Sequence, residues 1–312
     1  MSETVLVVDH VGPLVSVQDV GRPSYMRYGV PASGPMDRLS FAAANIAIGN
    51  PSYLSAIEVS MGGLTLDCVS GEVTFAIAGG GFIVQHADHR GGSWIVSTMR
   101  AGERLIIRPG HWGCWTYLAF AGRLSAPTWL GSASTHALSG FGGGRLEKAA
   151  ALTITEAEVR SEREGAIPCP VGARPRSELK AVLGPQDRFF DAGTIETLFS
   201  AQYQLTDAYD RMGVRLRGPA LSLSAPLSMP SEPIVRGSIQ ISGDGVPTVL
   251  LADHQTTGGY PKIATVVDAD LDAFVQLRPR DNVTFRRITP EQAVEHARSR
   301  ASVNRRYLAA LG

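Results

Sequence analysis

Short apolar runs recur along the chain, punctuated by glycine and proline: "VTFAIAG", "ERLIIRPG", "WTYLAFAG", "ALSLS", "TVLLAD" and "NVTFRRI". Each is strand-length and rich in β-branched or aromatic residues, which suit a pleated, half-buried surface. Their spacing predicts a mainly β protein of barrels or sandwiches with few helices. Helical periodicity is clearest over Pro35–Ile48, where Leu39, Ala43 and Ile46 form one stripe, Pro35 suits the first turn and Gly49 can end it. A second helix is expected near Ala192–Ser200. A third opens at "TPEQ", with Thr289 as cap, Pro290 in the first helical position and Gln292 placed for a capping box.

Between these elements, residues 156–180 are first charged and then rich in Pro, Gly and Arg, which reads as a linker. The expected organisation is an N-terminal β domain over residues 1–170, a second β domain over 171–288, and a C-terminal helix over 289–312. At 312 residues the chain can bury two cores. Lys plus Arg number 29, as do Asp plus Glu, so no global field draws it to nucleic acid or an anionic membrane. Three scattered cysteines without a C-x-x-C favour a reducing, cytoplasmic setting. Small molecules and other proteins remain as partners.

The usual catalytic motifs are missing or weak. "GFGGGRLEK" lacks the Gly-Lys-Ser/Thr of a phosphate loop and reads as a flexible loop. "HADH", with His86 and His89 around Asp88, has the outline of a metal pair but sits where a hairpin turn is expected. No metal site is assigned. Polar residues are concentrated elsewhere. Gln18, Asp19 and Arg22 precede Ser33 and Asp37, the last two near a helix N-terminus that suits either an oxygen ligand or a simple cap. Farther on come Glu232 and Gln240, and Asp210 with Arg211 and Arg215, for which a surface ion pair with Asp210 is the plain alternative. Finally "ADHQTTGGYPKIATVV" carries Asp253, Gln255, Thr257, Gly258, Gly259 and Tyr260 between the strands "VPTVLLAD" and "IATVVDADL", more polar residues than a hairpin needs. The paired glycines allow close backbone approach or positive φ.

Taken together, "VQDVGRPSYMRYGVPASGPMDRLSFAAANIAIGN", "AIEVSMGG", "LGPQDRFF", "DRMGVRLRG", "SIQISGDGVPTVLLADHQTTGGYPKIATVVDADL" and "VTFRRI" resemble, in order, the carboxyltransferase-domain family. That family includes the C subunit of 5-oxoprolinase, KipA-like proteins, allophanate hydrolase subunit 2 and the matching domain of urea carboxylase. The resemblance implies a cyclophilin-like barrel in the second half and work beside a subunit-B (KipI-like) partner and a lactam-utilisation subunit. It also implies ATP-dependent opening of 5-oxoproline to glutamate. Two alternatives accompany it: carboxyl transfer to a urea-type nitrogen from biotin on a separate carrier, and KipA-like regulation of a kinase inhibitor. The site residues implied are Glu232 and Asp253 as proton-handling carboxylates. Gln18, Asp19, Arg22, Ser33, Asp37, Gln240, Gln255, Thr257, Gly258, Gly259 and Tyr260 are implied as substrate-binding. The chain departs from the family's pattern at Thr135-His136, where an arginine is usual, and at Pro233 and Ile241-Ser242; loss of an arginine that can anchor a carboxylate implies altered ligand choice.

Overall fold

The alternating run ETVLVVDHV forms the strand Glu3–Val11, burying Thr4, Leu6 and Val8 along one face, as a period of two requires. A computed structural model describes residues 2–224 and 229–312. The chain divides into two units, Met1–Arg22 with Ser33–Arg174 and Asn304–Gly312, and Pro23–Ala32 with Pro175–Val303.

Among the described residues the first unit contains a seven-stranded and a six-stranded sheet. In the second of these, Glu72–Ala78 and Trp115–Phe120 pair antiparallel, and their side chains divide by parity. Phe75, Ile77, Leu118 and Phe120 join Leu6, Leu66, Leu105 and Ile107 of the other sheet in one core. Ala76, Ala78, Tyr117 and Ala119 turn the other way, toward Ala43, Ala44 and Ala47 of helix α1, Arg38–Ala47. Small side chains on both surfaces let the helix approach closely.

Helix α1 begins later than expected. Pro35 lies outside it; Asp37 is the cap, accepting from Ser40 N at 3.0 Å. Gly49 follows its end with φ +77°, as the sequence predicts. The 156–174 segment is stitched to this unit rather than free. Gly165–Ala166 adds a strand beside Ile95–Arg100, and Arg160 and Arg163 donate to the α1 end carbonyls of Ile48 and Ala47.

The second unit is built on a closed seven-stranded barrel among the described residues, in the order Glu178–Leu183, Lys262–Val266, Ser238–Ile241, Pro247–Leu250, Gly213–Arg217, Gln202–Tyr209 and Asn282–Arg287. Parallel pairing of Glu178–Leu183 with Asn282–Arg287 closes it. Helix α2, Ala192–Ser200, has the expected bounds and is capped by Asp191. Helix α3, Asp268–Phe274, begins where the sequence predicts the tail of a strand. Asp268 and Asp270 favour its first turn, and burial of Leu271 and Phe274 overrides the β propensity of the preceding valines. Helix α4, Pro290–Ala309, carries the predicted capping box: Thr289 N donates to Gln292 Oε1 at 3.0 Å and Gln292 N to Thr289 Oγ1 at 3.3 Å. "ALSLS" is not a strand. Prolines flank it, and Leu221 N instead donates to the Gly245 carbonyl. No described helix is long and apolar enough to cross a membrane.

Candidate functional site

Gln18, Asp19, Arg22 and Asp37 make hydrogen bonds within the first unit. Asp19 accepts from Gly21 N at 2.8 Å, Ser132 Oγ at 2.5 Å, Ala133 N at 2.7 Å and Ser134 Oγ at 2.7 Å. Gln18, wholly buried, donates to Ser16 Oγ and the Thr135 carbonyl. Arg22 donates to the carbonyls of Trp129 and Ser134 and lies over the Trp129 ring. These three side chains hold segment 129–135. Asp37 caps α1, so of the two readings for it the cap is realised; the Ser33 Oγ is buried without a hydrogen-bond partner among the described residues, on a backbone with φ +55°.

Neither histidine of "HADH" belongs to a cluster of three potential metal ligands among the described residues. His86 and His89 are partners across a hairpin, and buried His86 bonds Ser97 Oγ and Glu103. The glycine-rich loop is also no free cradle. Gly143 N donates to the Ala133 carbonyl, Gly140 N to that of His136, and a Cβ at Gly142 would lie 2.1 Å from the Ser134 oxygen. The expected flexible loop is therefore packed backbone to backbone.

In the second unit the arrangement is different. A cleft of about 600 Å³ is lined by Gln240, Gln255 and Tyr260 together with Asp210, Met212 and Arg215. Gln255 Nε2 donates to Gln240 Oε1 at 3.3 Å, and Gln240 Nε2 to the Tyr260 carbonyl at 3.4 Å. Beside them a two-stranded ribbon, Glu232–Pro233 with Thr257–Gly258, sets Glu232 opposite Gly258. A Cβ at Gly258 would meet Ile234 Cδ1 at 2.7 Å and Gln240 Nε2 at 3.0 Å. Close approach is thus the reason for glycine at 258. Neither Gly258 nor Gly259 has the positive φ that the sequence allows, and Gly259 has ordinary space.

Two residues not singled out from the sequence complete the cluster. Gln186, 1% exposed, donates through Nε2 to Glu232 Oε2 and accepts at Oε1 from the Lys262 backbone N–H at 3.0 Å. Lys262 is 2% exposed and is the register partner of Gln240. Burial pulls its amine below the usual lysine value, and the charge of Glu232 partly restores it. A lone lysine entering the apolar strand "KIATVV" was the available signal.

Asp253 occupies a different environment from Glu232. Both its oxygens pair with Arg211, Nε to Oδ2 and Nη2 to Oδ1, each at 3.0 Å, and its N–H donates to the Arg211 carbonyl. Arg211 is therefore no surface partner of Asp210, which instead accepts from Met212 N and Gly213 N, while Arg215 pairs with Asp244. The bidentate pair clamps the turn that leads to Gln255. Next to it, buried His254 bonds the Gln255 carbonyl at 2.7 Å; burial holds its imidazole below the ordinary value.

The family model described as carboxyltransferase domain, subdomain A and B, matches residues 28–287. The chain is 33% identical over 283 residues to the 5-oxoprolinase C subunit of Haemophilus influenzae, covering 90% of each. It is 30% identical over 306 residues to urea amidolyase of Saccharomyces cerevisiae, covering 90% of this chain and 16% of that one. Among solved structures, the urea amidolyase of K. lactis aligns with TM-score 0.85 at 27% identity, over 98% of this chain and 20% of that one.

Proposed function

The chain belongs to the carboxyltransferase-domain family of subdomains A and B, and on that premise we propose that it is the C subunit of a heteromeric 5-oxoprolinase that opens the lactam 5-oxoproline to glutamate with ATP. The observation that carries this reading is the match, over 90% of both chains, to a protein of that name. The urea amidolyase match is of a different kind, since that region is 16% of a much longer chain.

Opening a lactam adds water to the carbonyl, stabilises charge on its oxygen and delivers a proton to the departing nitrogen. In this proposal Glu232 moves the proton, since its carboxylate is half-buried and held by one amide rather than by a guanidinium fork. Gln240 and Gln255 orient the ligand, and the backbone of Thr257, Gly258 and Gly259 lies at the carbonyl oxygen. Asp253 takes a positioning role. A carboxylate locked in a buried guanidinium fork is a poor base, because protonating it would leave Arg211 uncompensated. The glycine-rich loop does not fit ATP, its backbone groups being engaged, so nucleotide is assigned to a partner, with a subunit-B homologue and a lactam-utilisation subunit as the expected companions.

Reconstitution with both partners and an assay for glutamate release from 5-oxoproline tests the reading. ATP-dependent release that falls at least a hundredfold in Glu232→Gln is expected. No turnover with every subunit present overturns it. The urea amidolyase match supports a second reading, carboxyl transfer to a urea-type nitrogen from biotin on another chain; abolition of activity by avidin would select that one. Partner binding that survives Glu232→Ala without turnover of either substrate would mark a KipA-like regulatory role.

A further inference from the structure

A lysine ammonium removed from water needs an acceptor for its N–H groups. Lys262 opens the strand Lys262–Val266, and its Nζ is buried without a hydrogen-bond partner among the described residues. Each neighbouring polar group is bonded elsewhere, and none of these bonds involves Lys262 Nζ. Glu232, whose charge Lys262 feels, accepts from Gln186. The Gln186 oxygen is taken by the Lys262 backbone N–H. Gln240, the register partner of Lys262, is bonded to Gln255 and to the Tyr260 carbonyl. Gln240 and Gln255 line the 600 Å³ cleft. The Lys262 ammonium therefore has the charge of Glu232 near it but no hydrogen-bond acceptor among the described residues.

We infer that Lys262 is the specificity-determining residue of this cluster, donating to an anionic oxygen, carboxylate or carbamate, of a small amide ligand. The inference shares with the proposed function the premise that this cleft takes an amide, but not the premise that the amide is a lactam. Amide-bonding side chains alone do not separate an acid-bearing amide from its neutral counterpart. A buried ammonium does, because the neutral ligand leaves its N–H donors without a charged acceptor. Burial also lowers the pH at which this selectivity is lost, since the amine sheds its proton earlier than a solvated lysine.

The test is calorimetric binding to the full chain of two matched pairs: 5-oxoproline with 2-pyrrolidinone, and N-carbamoylglycine with urea. In at least one pair the acid should bind tenfold or more tightly than its neutral partner. Lys262→Met and Lys262→Gln should remove that preference while leaving affinity for the neutral partner within about threefold, and Lys262→Arg should retain part of it. The isosteric and charge-keeping variants run side by side, so a folding failure in one leaves the comparison of charge intact. Equal binding of acid and neutral forms by the parent protein, binding of none of the four, or a preference that survives in Lys262→Gln would each overturn the inference. Preference in the ureido pair alone upholds Lys262 as the selector and counts against the lactam reading.

Discussion

At the scale of single residues, a methyl group at Gly142 and one at Gly258 would meet different resistance. At Gly142 the obstacle is the Ser134 backbone and the residue already has φ +101°, so neither the neighbour nor the dihedral can adjust cheaply. Gly142→Ala is expected to destabilise the first unit by at least ~2 kcal/mol. At Gly258 the obstacles are the tips of Ile234 and Gln240, which can swing aside. Gly258→Ala should cost little stability yet weaken amide binding tenfold or more, because Gln240 must leave its place. Denaturant midpoints and ligand titration of the two variants, read together, check this contrast. His254 supplies a pH dependence. Its folded imidazole titrates below the ordinary 6.5, so the unfolded chain takes up a proton that the folded barrel refuses. Stability is then lost as pH falls below about 6.5, by at most ~1.4 kcal/mol per pH unit. Hydrogen exchange of the barrel strands at pH 5 and 7.5 should show a shallower pH dependence in His254→Gln.

At the scale of elements, the chain's patterning was legible wherever local chemistry decided the outcome. The α4 capping box follows from Thr289, Pro290 and Gln292 alone, and both predicted hydrogen bonds form. Thr289→Ala should cost about 1 kcal/mol, visible as faster exchange in the first turn of α4 with the barrel unaffected. The strands "VTFAIAG" and "WTYLAFAG" were equally plain, since their alternation serves two buried faces. Where tertiary burial decided, the sequence was silent. Helix α3 hides behind a valine-rich strand, and Leu271 and Phe274 become helical only because a core receives them. The same holds for the site. Asp253 looked like Glu232 in sequence, two acids in polar loops. Only folding gives one an arginine fork and the other an amide. Lys262 and Gln186 lay unmarked, 76 residues apart, since nothing local ties a glutamine before helix α2 to a lysine in a late strand.

For the molecule as a whole, both units close through pairings distant in sequence. Strand Glu3–Val11 lies between Leu64–Ser70 and Ala151–Thr155, and the barrel is sealed by Glu178–Leu183 on Asn282–Arg287. Such topologies fold slowly, on the order of milliseconds to seconds or longer. A fragment ending at residue 140 should not acquire a stable first unit, because strand Glu3–Val11 loses its pairing partner, Leu152 and Ile154 leave the core shared with Leu6 and Val8, and an edge is left open. Broad amide resonances and aggregation of that fragment are the expected readout; a dispersed, cooperative unfolding transition would count against it. All four tryptophans, Trp94, Trp112, Trp115 and Trp129, lie in the first unit, so their fluorescence follows its unfolding in the intact chain. The second unit needs another reporter, and the Gln186 amide offers one. Its oxygen is fixed by a backbone N–H and its nitrogen by a carboxylate, so one of its two protons faces that carboxylate. The proton shared with Glu232 should resonate downfield of the other, and Glu232→Gln should shrink that separation, making a single side chain a spectroscopic report on the contact beside it.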